Sequence, residues 1–165
     1  MVWSRTILDG ILLCLIFNLT IAILWIFVPG AFSKMLPKEI RLAAPPRKKK
    51  EVVILASVLY PLYILVFAYM IVSAHMAGVT GFWHLFWTGY IEMFWINLGD
   101  FFGLDWWYRG AIKDKIMIPG TEHCKAWETK EWMKTLGIPE HLIGWPLVVC
   151  PLVGLIVAGI STWIY

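Results

Sequence analysis

Charge is scarce in this chain. Asp, Glu, Lys and Arg make up 15% of its 165 residues, against roughly a quarter in a soluble domain. With 60% hydrophobic residues and a mean hydropathy of +0.73, that scarcity excludes an ordinary soluble globular protein. Cysteine is sparse too. Cys14, Cys124 and Cys150 show no metal or redox spacing, and two of them sit in apolar runs, which excludes a disulfide framework. No Walker, Rossmann, haem-attachment or hydrolase motif occurs. The net charge of +3 is no sign of nucleic-acid binding, because the basic residues flank apolar runs, and Pro-Pro-Arg-Lys-Lys-Lys at 45–50 suits anionic lipid headgroups.

What the chain has in excess is long apolar sequence. Four runs, near 7–28, 52–73, 82–102 and 142–164, approach or exceed the ~20 residues that cross a hydrocarbon core as a helix. Lipid offers the backbone no hydrogen-bond partners, so such runs must be helical. The expected fold is therefore all-α: a single-domain, multi-pass four-transmembrane-helix bundle over 1–165, in the cell membrane. The first run is too long for a signal-peptide core and lacks a small-residue cleavage site after it, so it is read as a retained helix. Thirteen of the fourteen Lys and Arg residues lie between runs one and two or between runs three and four, and Arg5 alone lies elsewhere. The positive-inside rule makes those loops cytoplasmic and puts both termini outside.

The connections carry further expectations. Loop 29–50 holds Pro29, Pro37, Pro45 and Pro46 and is expected to be irregular at headgroup level. The short uncharged stretch 74–81 predicts a tight antiparallel hairpin of runs two and three. Loop 105–141 is the sizeable polar part. Thr121 is placed to cap a short interfacial helix there, ended by Gly137 and Pro139, with Trp127, Trp132, Met133 and Leu136 against the membrane surface. Gly154 and Ala158 permit close helix approach.

Run three carries the chemistry. Glu92 is its middle residue, and ionisable groups at the membrane midplane are costly and usually functional. At 100° per residue, His84, Thr88, Glu92 and, at the margin, Asp100 share one face. Such a stripe must face other helices or a hydrated cavity. Depth matching brings Asn18 of run one and Tyr63 of run two near Glu92, while Trp95 and Phe94 add aromatic surface. Two readings stand side by side: Glu92 as a functional acid, or Glu92 hydrogen-bonded to Asn18 or Tyr63 and holding helices together.

At the cytoplasmic end of run three stand Asn97, Asp100, Asp105 and Arg109. On an α-helix Asp100 and Asp105 are about 140° apart and need not point together. Arg109, one turn beyond Asp105, is placed for an ion pair with it. Asp9, His75 and His84 have similar depth on the outer side, but no spacing supports a metal there, and none is expected.

Asp100, Asp105-Trp106 and Ile118-Pro119-Gly120-Thr121-Glu122 together resemble a family of small prokaryotic integral membrane proteins to which no activity is assigned. Those proteins pair such aspartates with an Ile-Pro-Gly-Thr-Glu loop before the final helix, usually followed by a Gly-Met-type sequence where His123-Cys124 stands here. The resemblance implies a four-helix membrane fold and adds Asp100, Asp105 and Glu122 as candidate functional positions.

The function these features predict is an intramembrane polar and aromatic cavity around Glu92. It would bind, or process by acid–base chemistry, a hydrophobic or isoprenoid-like ligand, with Glu92, Asp100 and Asp105 as reactive groups. Asn18, Tyr63, His84, Thr88, Trp95 and Glu122 would line it. The alternatives are a small proton-coupled transporter and a non-catalytic accessory subunit. Expected partners are membrane lipids, the hydrophobic ligand, and a second copy or partner membrane subunit; the cofactor is left open.

Overall fold

An apolar chain that cannot share hydrogen bonds with water closes them within itself, and the computed structural model is helical throughout. It describes residues 2–165, among which no strand occurs. The elements are α1 (Trp3–Phe27), α2 (Lys38–Ala43), α3 (Lys49–Met76), α4 (Phe82–Leu98), α5 (Arg109–Ile116), α6 (Thr129–Trp132) and α7 (Cys150–Ile164). Three helices are long and apolar enough to cross a membrane: Trp3–Phe27, Lys49–Met76 and the continuous Thr129–Ile164. The third predicted run is α-helical over the 17 residues of α4 and continues without a break into a π-helical stretch, Gly99–Tyr108, and then α5.

α4 lies between α1 and α7 and packs chiefly on those two. The hairpin expected of runs two and three is therefore not the main pairing: the 77–81 turn reverses the chain, but α3 lies to one side. Glycine explains the choice. A Cβ at Gly89 would fall 2.9 Å from Val157 Cβ, one at Gly154 2.7 Å from the Phe86 carbonyl oxygen, and one at Gly10 2.5 Å from Trp95 Cδ1. Between apolar helices in lipid, close van der Waals approach replaces the hydrophobic driving force, and glycine permits it. α3 offers α4 no such surface.

One end of the bundle gathers the start of α1, the end of α3 and the end of α7. Arg5 donates to Ser73 Oγ, and the His75 ring stacks on Tyr165 at 3.6 Å between centroids. At the other end the loops are ordered and partly buried. The segment after α1 was expected to be irregular, yet it forms a 3-10 turn (Pro29–Lys34) and α2, and buries Phe32, Leu36 and Ile40. Glu39 of α2 accepts hydrogen bonds from the backbone N–H groups of Lys125 and Ala126, tying the two loops together.

The short helix predicted within 105–141 is not a separate element: it is the start of the last helix, Thr129–Ile164. Thr121 caps nothing: its hydroxyl donates to the Ile118 carbonyl and accepts from Trp127 Nε1, inside a turn where Gly120 takes a φ of +91° that suits glycine. Gly137 and Pro139 end no helix, because the last helix starts at Thr129 and runs through both. Trp127 and Trp132 are buried, stacked at 5.7 Å, with the Arg109 guanidinium 5.0 Å from the Trp132 ring. Each has a large apolar face to bury, and the folded loop offers a protein core in place of the lipid surface.

A candidate polar site beneath an aromatic cavity

Three stretches of the bundle are π-helical, Gly99–Tyr108, Met133–Gly137 and Pro139–Val149, and the first and last bring Asp105 and His141 together. In those two, Arg109 N–H bonds to the Leu104 carbonyl and Cys150 N–H to that of Trp145. Such i→i+5 bonding widens the turn so that residues five apart share a face. That is how Asp100 and Asp105, placed about 140° apart by an α-helical wheel, come to point the same way. In Pro139–Val149 the i→i+5 partner of the His141 carbonyl is Pro146, which has no N–H. The carbonyl is satisfied from outside: Asn97 Nδ2 donates to it at 2.9 Å.

That bond fixes the Asn97 amide. With its NH₂ committed, Oδ1 faces His141 Nδ1 at 2.7 Å and accepts, so Nδ1 carries the proton. His141 Nε2 then points onward, 3.2 Å from Asp105 Oδ2. Ligand-capable atoms of Asp100, Asp105 and His141 all lie within 4.8 Å of one another. His141 is 2% exposed, Asn97 1% and Asp105 5%, while Asp100 is half-buried.

These groups close one wall of a cavity of about 170 Å³. Its other walls are aromatic and aliphatic, with Phe17 and Trp25 from α1, Phe32 from the loop, Tyr63 from α3, and Trp132 and Trp145 from the last helix. Glu140 adds a further carboxylate and accepts from Trp145 Nε1 at 3.3 Å.

The predicted site residues separate into those this cavity gathers and those it does not. Asp100, Asp105 and Tyr63 line it. Glu92 is about two turns away along α4, roughly 12 Å, and is 1% exposed, with Oε2 lacking a hydrogen-bond partner among the described residues. The charged groups within its electrostatic reach are Asp9 and Arg5. Asn18 and Tyr63 make no bond to it: Asn18 Nδ2 donates to the Cys14 and Ile96 carbonyls, where it holds α1 against α4 at Gly99. Thr88 is buried and donates to the His84 carbonyl, whereas His84 is exposed and bonds the Thr80 carbonyl. Trp95 packs on Gly10. Glu122 is exposed in the loop and accepts from Gly120 N–H, which with its own N–H keeps its carboxyl below the usual range.

One predicted pairing is corrected. Arg109 does not pair with the Asp105 carboxylate. Its Nε donates to the Asp105 backbone carbonyl and its Nη atoms to the Trp127 carbonyl and Thr129 Oγ1, because the π turn swings the aspartate towards His141. Asp9, His75 and His84 do not converge either. Asp9 accepts from Arg5, Tyr69 and Ser73, while His75 lies against Tyr165. His141 was missed from sequence, where it marked only the end of a loop. Its position five residues before Pro146 was the available signal.

No family model matches this chain, and no curated protein or solved structure matches it either. The resemblance drawn on residues 100–122 therefore rests on those residues alone.

Proposed function

We propose that this is a four-span membrane protein, both termini outside, that binds and processes an amphipathic ligand of lipid or isoprenoid class in the cavity between Trp25 and His141. Helix 82–108 supplies the fourth span, since its π stretch extends α4 to a length that crosses the hydrocarbon core. The basic loops, which gather at the cavity end of the bundle, face the cytoplasm. The observation that carries the reading is a hydrophobic, aromatic-walled space ending on three convergent polar groups, the usual make-up of a small-molecule site.

The reactive centre sits at Asp100, Asp105 and His141, and Glu92 lies outside it. His141, with Nδ1 held by Asn97, presents Nε2 to a headgroup as base or acid. Asp105 supports the imidazolium that forms, and the apolar tail lies along Trp25, Phe32 and Trp145. Isomerisation or cyclisation of a lipid needs such acid–base groups beside a dry apolar wall. Native mass spectrometry of protein extracted in mild detergent tests this. A co-purifying lipid in the wild type that is lost in Trp145→Ala supports the reading. A ligand-free wild type, or a lipid retained by the variant, counts against it.

A second reading is favoured by one observation. Buried Glu92 lies between the Asp9 network at the outer end and the Asp100–Asp105–His141 group at the inner end, so acidic stations are spread along the height of α4. That suits a proton-coupled carrier, which pH-driven solute flux in liposomes would reveal. An accessory role predicts instead a larger complex in the same native spectra.

A further inference from the structure

We propose that Asp100, Asp105 and His141 bind one divalent first-row transition-metal ion at the polar wall of the cavity. The contact between His141 and Asp105 is the first reason. Nε2 and Oδ2 are 3.2 Å apart, yet buried Oδ2 makes no hydrogen bond. Donor and acceptor of an ion pair aim at each other, whereas two ligands of one metal aim at a common point beside both. Ligand atoms about 2.1 Å from a tetrahedral ion are about 3.4 Å apart, close to the separation seen here. Asp100, within 4.8 Å, completes the set with a shift of about an ångström.

The imidazole is also prepared in the way metal ligands are. A ligating histidine commits its other ring nitrogen to a fixed acceptor, which sets the tautomer and the ring plane. Asn97 Oδ1 does this for Nδ1 from a site that is itself buried and fixed by the His141 carbonyl. The third reason is the backbone. Asp100 and Asp105 share a face only because Gly99–Tyr108 is π-helical, and His141 stands in another π stretch, Pro139–Val149. Such segments are rare and recur at functional sites.

The donor set narrows the ion. Two carboxylates and one imidazole suit Zn²⁺, Fe²⁺ or Mn²⁺; Mg²⁺ and Ca²⁺ prefer all-oxygen shells, and no thiolate is present to select Cu⁺. Three protein ligands leave coordination positions open towards the cavity, where a headgroup oxygen or water would bind. The site shares the cavity with the amphipath reading but not its occupant. Metal binding without lipid would sink only that reading, and lipid binding without metal only this one.

Co²⁺ is the probe, titrated into chelator-treated full-length protein in micelles, with visible d–d absorption and equilibrium dialysis as readouts. We expect one equivalent bound with bands characteristic of N/O ligation. Asp105→Asn and His141→Gln should abolish both signals, and Asn97→Ala should weaken affinity about 10–100-fold. Gel filtration and circular dichroism confirm folding, and Asp105→Glu, which keeps a carboxylate, should retain binding. Wild-type protein that binds no Co²⁺, or binds it unchanged after Asp105→Asn in a folded variant, overturns the proposal and leaves His141 and Asp105 a simple charge pair.

Discussion

Asn97 and His141 bind each other twice, once through the asparagine NH₂ to the histidine carbonyl and once from the imidazole Nδ1–H to the asparagine oxygen. One side chain thus repairs a backbone carbonyl whose i→i+5 partner is a proline, and orients the ring on the same residue. Structure and chemistry are coupled at a single point, and the coupling can be tested.

Asn97→Ala should leave the His141 carbonyl and Nδ1 unsatisfied in a buried site, at a cost of about 1–3 kcal/mol for each group. Asn97→Asp keeps the acceptor for Nδ1 but loses the donor to the carbonyl, so its loss should be smaller for ring orientation than for stability. Thermal unfolding in micelles reads the stability. A melting temperature for Asn97→Ala equal to wild type would mean that water takes over both bonds.

Much of the fold was legible because apolar length alone dictates helices in lipid. Helix boundaries shifted by a few residues, but three of the four predicted runs correspond to helices long and apolar enough to span. The candidate site was half legible. Asp100 and Asp105 stood out as carboxylates in an apolar run, yet an α-helical wheel kept them apart, since nothing in 99–108 announces a π turn. His141 hid behind Gly137 and Pro139, which read as helix stops but are carried within the last helix. Glu92 drew attention by its place midway along run three, and it is buried in the bundle; its partners could not be read, because depth matching says nothing about which helices are neighbours. Glycines at 10, 89 and 154 decide that, through contacts visible only once the helices are packed.

The α4–α7 seam makes a contrast within one chain. Gly154→Ala puts a methyl 2.7 Å from the backbone carbonyl of Phe86, which cannot move without shifting the helix, and overpacking of this kind costs about 1–3 kcal/mol. A Cβ at Gly103 meets nothing within 4 Å, so Gly103→Ala should be neutral or stabilising by up to about 1 kcal/mol. Melting temperatures should therefore fall for the first and hold or rise for the second. Equal effects in both would show that helix propensity, not seam contact, sets stability there.

Cys124, outside the apolar helices, is buried, and burial together with the negative charge of Glu39 and Glu122 raises its thiol above the usual range. The sign follows directly: a raised pKa leaves less reactive thiolate at a given pH than an exposed cysteine, which ionises at ~8.5, would have. Maleimide labelling of Cys124, resolved by peptide mass spectrometry, should be slower than that of an exposed cysteine at both pH 7 and pH 9. Unfolding should release it at once. Rapid labelling of the folded protein would show that the 117–128 loop opens readily.

Glu92→Gln separates the two functional readings, because the residue stands apart from the cavity but lies along the line between the two polar ends of α4. The substitution keeps shape and hydrogen-bonding capacity while removing the titratable proton. If the cavity is the working site, Glu92→Gln should retain co-purifying lipid at wild-type level, with stability equal to or above wild type, since an uncompensated buried carboxyl is costly. If protons pass along α4, the same variant should lose pH-driven flux by at least about 100-fold, the scale on which removing an acid–base group acts, with lipid content unchanged. The variant that loses lipid and keeps flux would contradict both, because it would make Glu92 a wall of a cavity that the packing of α1, α4 and α7 does not bring to it.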